Sequence, residues 1–179
     1  MLEGISIDAF RGDYEGLERM AHASWRDEYG QASFPNFYRP AFLRYLFDRI
    51  PAAKKDHLAA AYKDGEIVAF LANLPQRFDL RGSVYNAIYS CLLVVRKEFL
   101  RKGIALDLIR AAVEVNKEYG YDFSLLTLET GHRSTLMMDK LRGEGNRIER
   151  IRKSGVMARI LDLGRVDASE DLKGYEKMA

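Results

Sequence analysis

The chain has 179 residues, enough for one domain with a real core. It is 47% apolar and 30% charged, the composition of a soluble globular protein. Its 28 basic and 26 acidic residues leave a net charge of +2, too little basic excess for a sequence-indifferent nucleic-acid binder. Cys91 is the single cysteine, which excludes an internal disulfide and metal-site spacing and fits a reducing, cytoplasmic setting. The longest apolar run, Ile67 to Ala72, is far short of the roughly twenty residues of a membrane span, and the N-terminal stretch lacks signal-peptide character.

In chain order, Ile5 to Phe10 alternates as a strand. Asp13 is placed to cap a helix reaching about Glu28, with Leu17, Met20, Ala21, Ser24 and Trp25 at helical spacing. A loop from Tyr29 to Pro40 precedes a second helix, Ala41 to Ile50, that stops at Pro51. This stretch is rich in rings: Phe34, Phe37, Tyr38, Phe42, Tyr45 and Phe47.

Leu58 to Tyr62 and Glu66 to Asn73 read as strands joined by an Asp64-Gly65 hairpin turn. A short strand, Phe78 to Leu80, is expected after Pro75. A longer one, Ser83 to Val95, follows a turn at Arg81-Gly82 and is too long to run without a bulge or break. Ile104 to Tyr119 is the clearest helix, stopped by Gly120. Phe123 to Leu128 suits a buried strand and Ser134 to Leu141 a short helix. Arg147 to Ile151 and Val156 to Leu163 read as final strands. Because a long helix connects the strands that end at Val95 and begin at Phe123, those strands should be parallel.

The segment between that strand and helix carries the chemistry. A helix's first turn has unpaired N–H groups and partial positive charge, so it can hold a phosphate through the backbone. Gly103 allows close approach, Ala105 keeps the turn uncrowded, and Arg101 and Lys102 add charge. The dinucleotide fingerprint needs three glycines and the P-loop needs Gly-Lys-Ser/Thr; neither occurs here.

Leu100-Arg101-Lys102-Gly103-Ile104-Ala105 resembles the Gln/Arg-x-x-Gly-x-Gly/Ala motif of the GNAT acetyltransferase superfamily. Leu100 stands where the family has Gln or Arg. The likeness spans about residues 5 to 163 in element order and is specific from about Leu92 to Leu141. It implies an α/β fold of the α+β type, with a mixed, mostly antiparallel sheet of about six to seven strands and helices on both faces. The domain would cover residues 1–166, with 167–179 a polar tail or the start of a further helix. There is a weaker likeness to the N-terminal lobe of N-myristoyltransferases, which would suit one lobe of a longer protein.

The resemblance further implies an N-acyltransferase that moves acetyl from acetyl-CoA to a primary amine, by direct attack in a ternary complex. No metal would be needed. The acceptor would be a small molecule or peptide, with neither nucleic acid nor membrane as partner and a homodimer left open. Leu93, Val94 and Val95 would contact the coenzyme together with Leu100 to Ala105, and an oxyanion-binding N–H would lie at Leu93 or Val94. Cys91 occupies the position of the family's Glu base. His132 stands where Asn is usual, and the family's Tyr position falls on Met138 or Asp139. Glu129, His132 and Tyr89 are the candidate catalytic residues, with Tyr85 a further substitute. Glu129 also fits a solvated strand end, His132 a helix cap, and the tyrosines strand packing. These departures leave a second reading open, a coenzyme-binding module with reduced catalysis. The ring-rich stretch from Phe34 to Phe47 falls where relatives build the acceptor-site wall.

Overall fold

The computed structural model describes residues 4–30, 36–50, 57–128 and 134–150. Five strands lie side by side in chain order: β1 (Ile5–Ala9), β2 (Leu58–Lys63), β3 (Glu66–Leu80), β4 (Ser83–Val95) and β5 (Phe123–Leu126). The first three pairings are antiparallel, and β4–β5 is parallel. The helices are α1 (Tyr14–Tyr29), α2 (Pro40–Phe47), α3 (Ile104–Glu118) and α4 (Ser134–Gly143), with a 3₁₀ turn at Asn36–Tyr38.

Strand alternation sends successive side chains to opposite faces, and both faces are apolar. One face carries Leu58, Ala60, Phe70 and Leu74 beneath Leu17, Met20, Leu43 and Phe47 of α1 and α2. The other carries Ala59, Ala61, Val68 and Leu71 beneath Ile104, Leu108 and Ala112 of α3. Helices therefore cover both faces, as expected. α4 joins the α3 side, where Glu144, just past its end, pairs with Arg110.

Among the described residues the sheet has five strands, not six to seven. The stretches 66–73 and 78–80, read as separate strands, are one continuous strand that passes through Pro75. Proline lacks the ladder donor, so it needs an unpaired side. β2 pairs with β3 only as far as Ala72, so at Pro75 the flank toward β2 has no strand partner among the described residues. A second correction concerns the expected strand Arg147 to Ile151: residues 147–150 form no strand. Arg147, Glu149 and Arg150 are exposed, and Arg147 pairs with Glu149, so this stretch offers little apolar surface for a sheet to bury. The expected strand Val156 to Leu163 and the 167–179 tail lie outside the described residues. The helix expected from Ala41 to Ile50 runs instead from Pro40 to Phe47, since proline is well suited to a helix's first position.

The bulge expected in β4 is present. Ala72 pairs with Cys91 and Phe70 with Val94, so Leu92 and Leu93 stand opposite Leu71 alone. Leu92 takes φ 56°, a left-handed conformation uncommon for a non-glycine residue. The extra residue changes the phase of the strand. Tyr89, Cys91 and Leu92 pack toward α1, while Leu93 and Val95 pack toward α3.

Candidate active site

β4 and β5 pair only from Ala87↔Phe123 to Ser90↔Leu126. Beyond Ser90 the β5-facing side of β4 has no strand partner among the described residues. The bulge begins there, so the two strands part where β4 is kinked. Tyr89 stands at this mouth, half-buried, with its hydroxyl 3.4 Å from Thr127 Oγ1 just past the end of β5. Beside it, Ser90 Oγ donates to Asn73 Oδ1 at 2.7 Å, and Asn73 Nδ2 donates to the His57 carbonyl. Asn73 and His57 are fully buried, so this network fixes β2, β3 and β4 together behind the opening.

After β4 the chain turns sharply. The Arg96 N–H donates to Val68 O at 2.9 Å, and its guanidinium pairs with Glu66 and Glu98. Phe99 is buried under α3, with Lys63 and Lys102 above its ring. This anchor holds the next residues in shape. Arg101 (φ 61°) and Gly103 (φ 87°) both take left-handed backbone, and Gly103 caps α3. A glycine cap offers no side-chain acceptor. Among the described residues, no side chain accepts from the N–H groups of Ile104, Ala105 or Leu106. Arg101 and Lys102 are exposed next to those donors and form no ion pair among the described residues. The geometry suits a multiply charged anion bound by backbone N–H groups.

The predicted residues thus fall in separate places. Leu100 to Ala105 are together at the head of α3. Val94 is buried on the α1 side, while Leu93 and Val95 pack partly buried on the α3 side, all beyond the last β4–β5 pair. Tyr89 lies at the mouth. Glu129 and His132 lie outside the described residues. Cys91 is packed on the α1 side, and burial pushes its thiol up to about 11. It is therefore a neutral thiol near pH 7, unsuited to proton abstraction or attack.

Sequence reasoning missed Ser24, Leu92 and Thr127. Ser24 Oγ lies 3.0 Å from Met20 O and 3.2 Å from Val95 O, so its hydroxyl links α1 to the end of β4. Its small size amid larger apolar neighbours was the available signal. Leu92 left none, because leucine is an ordinary strand residue.

A family model described as an acetyltransferase (GNAT) domain matches residues 11–128. No curated protein matched the sequence. Among solved structures, glucosamine-6-phosphate N-acetyltransferase from Arabidopsis thaliana aligns with TM-score 0.58 at 15% identity, over 89% of this chain and 100% of that one. An aminoglycoside acetyltransferase from an uncultured soil metagenomic sample, in complex with sisomicin, aligns with TM-score 0.59 at 16% identity, over 87% and 97%. N-myristoyltransferase from Saccharomyces cerevisiae with bound myristoyl-CoA gives TM-score 0.61 at 17% identity, over 72% of this chain but 30% of that one. At these identities the likeness is one of fold.

Proposed function

The chain belongs to the GNAT acetyltransferase family, and from that premise we propose that it transfers an acyl group, acetyl by default, from coenzyme A to a primary amine. The observation that carries this reading is the open head of α3, with Gly103 as its cap and Arg101 and Lys102 beside it, directly after a bulged strand that has parted from β5. The coenzyme's pyrophosphate would accept from N–H groups at Gly103 to Ala105. Its acyl-bearing arm would run along Leu93 to Val95, where β4 lacks a strand partner. No group of histidine, cysteine or acidic side chains that could hold a metal occurs among the described residues, and the proposed reaction calls for none. No described helix is long and apolar enough to cross a membrane. Residues 1–166 would form the transferase domain.

The chemistry is a direct transfer within a ternary complex. The amine nitrogen attacks the thioester carbonyl carbon, the C–S bond breaks, and coenzyme A leaves as a thiol. A thiol of ordinary pKa about 8.5 departs readily. A backbone N–H at Leu93 or Val94 would stabilise the oxyanion, typically worth about 10²–10³-fold in rate. The amine, at about 10.4 for a lysine-like group, must shed a proton first. Tyr89, Glu129 and His132 are the candidate acceptors of that proton, reached directly or through water.

One observation favours a second reading, a module that binds coenzyme with little turnover: the position of the usual Glu base holds Cys91, whose thiol keeps its proton. Thermal melting separates neither reading from the other but tests both. At about 100 times its dissociation constant, acetyl-CoA should stabilise the fold by about 2.7 kcal/mol and raise Tm by roughly 5–10 °C. Thiol release with a panel of primary amines then decides for the enzyme. No stabilisation by any acyl-CoA at millimolar concentration would overturn both.

A further inference from the structure

Four rings form a continuous path on the α1 side of the sheet. Tyr29 meets Trp25 at 4.8 Å between centroids, Trp25 meets Phe37 at 5.2 Å, and Phe37 meets Tyr38 at 5.1 Å. The path starts in solvent, where Tyr29 is 44% and Phe37 38% exposed. It ends in the core at Tyr38, fully buried in the cluster against which Cys91 of β4 packs. Isolated exposed rings need no explanation, but contiguous ones that run into the cluster against which Tyr89 packs do.

The position of the path matters. Ser24 ties this end of α1 to Val95, and Trp25 packs on the same core cluster as Tyr89, Cys91 and Leu92. The head of α3 lies on the other face, packed on the second cluster. Rings and anion-binding loop therefore approach the parted strands from opposite sides, as two reactants meeting there would have to do.

Charge narrows the ligand. Three of the four carboxylates of α1 are seen engaged: Glu15 with Arg44 at 2.7 Å, Glu18 with Arg39 at 3.1 Å, and Asp27 with Lys97 at 3.3 Å. An acceptor bearing several ammonium groups would find these counter-ions occupied. A single ammonium on an aromatic body needs none of them, because ring faces take both the body and the cation.

We propose that the acceptor is a monoamine on an aromatic body, which stacks against Trp25 and Phe37 and presents its nitrogen past Tyr89 to the thioester. This rests on the acyl-transfer reading. In the transfer the ammonium first gives one proton to base or solvent, the C–N bond then forms as the C–S bond breaks, and the nitrogen's second proton passes to the leaving thiolate, so the coenzyme departs as a thiol.

Trp25 is the only tryptophan in the chain, so its fluorescence reports on this wall without requiring turnover. The experiment titrates the coenzyme A-saturated protein with 2-phenylethylamine, n-hexylamine and sisomicin, then repeats the series as steady-state kinetics with acetyl-CoA. The expected result is a saturable Trp25 response with 2-phenylethylamine at least about tenfold tighter than with n-hexylamine, and the same order in kcat/KM. Phe37→Ala, at a half-exposed position, should erase most of that preference and leave the coenzyme-induced rise in Tm intact. Phe37→Tyr should restore the preference. Equal or tighter binding of n-hexylamine or sisomicin would overturn the proposal, as would an undiminished preference in Phe37→Ala. If coenzyme A raises Tm while the aryl amine fails to bind, this inference falls and the coenzyme reading stands. If the coenzyme itself fails to bind, both fall.

Discussion

Helices α1 and α3 pack on opposite faces of one sheet, yet their N-termini are finished in opposite ways. At α1 the chain supplies its own anion: Asp13 caps the helix, and its carboxylate accepts from Gly16 N at 2.8 Å. At α3 the cap is Gly103, with no side chain to offer, and the residues before it are cations rather than acids. Asp107, the one acid in the first turn of α3, is held by Arg110 at 2.8 Å. Both ends have the same unpaired N–H groups and the same partial charge. One is satisfied from within, and its role is stability. The other is left for something from outside, and that is where the coenzyme reading places the pyrophosphate.

The contrast can be broken by substitution. The largest effect is expected at Gly103. A Cβ there meets no atom within 4 Å, so the cost is conformational: φ 87° disfavours any L side chain and a β-branched one most. Gly103→Val should cost about 2 kcal/mol in denaturant unfolding. In calorimetric titration it should weaken coenzyme A by at least roughly tenfold, because the donors at the head of α3 are displaced.

At α1 the expected effects are on stability alone. Asp13→Ala should cost about 1 kcal/mol, with coenzyme affinity unchanged. Gly16 makes this end a coupled test. A Cβ at Gly16 would lie 2.0 Å from Asp13 Oδ2, so an alanine must push the capping carboxylate away. Gly16→Ala alone should therefore be near neutral, its helix-propensity gain of about 1 kcal/mol offset by the lost cap. In the Asp13→Ala background the same change should stabilise by about 1 kcal/mol. Denaturant curves for the four proteins measure the coupling; simple additivity would mean that a methyl at Gly16 does not displace the capping carboxylate.

The smallest effect lies on the strand between the two helices. Burial raises the Cys91 thiol from 9.0 to about 11. The folded protein keeps a proton that the unfolded chain loses over this interval. The stability contributed is thus fully present below about pH 9 and is withdrawn as the pH climbs toward 11. Iodoacetamide at pH 8 should alkylate native Cys91 at least about tenfold more slowly than the unfolded chain. Equal rates would contradict the burial and reopen a chemical role for this residue.

Much of this architecture was legible in the sequence because local rules fix it. Asp64-Gly65 and Arg81-Gly82 form the expected hairpin turns, all four residues with positive φ. The apolar spacing of α3 and the stop at Gly120 placed that helix to within a residue. What escaped depended on neighbours. Pro75 reads as a strand breaker until β2 is seen to end before reaching it. The bulge was expected somewhere in β4, but its place at Leu92 follows from pairing with β3 across the sheet, which no local pattern encodes. The candidate site divides the same way. Its anion-binding half is a contiguous motif and could be read directly. Its catalytic half is assembled from separate segments: Tyr89 was legible only through the resemblance, and Glu129 and His132 lie outside the described residues.

The central claim is that the open end of α3 receives the coenzyme's pyrophosphate. The most direct measurement is a titration of ¹⁵N-labelled protein with coenzyme A, followed through the backbone amides of both helix N-termini. The account predicts that the amides of Gly103, Ile104 and Ala105 shift most and saturate together, while Gly16, already bonded to Asp13, stays still. Saturable binding that leaves Gly103 to Ala105 unmoved would contradict it.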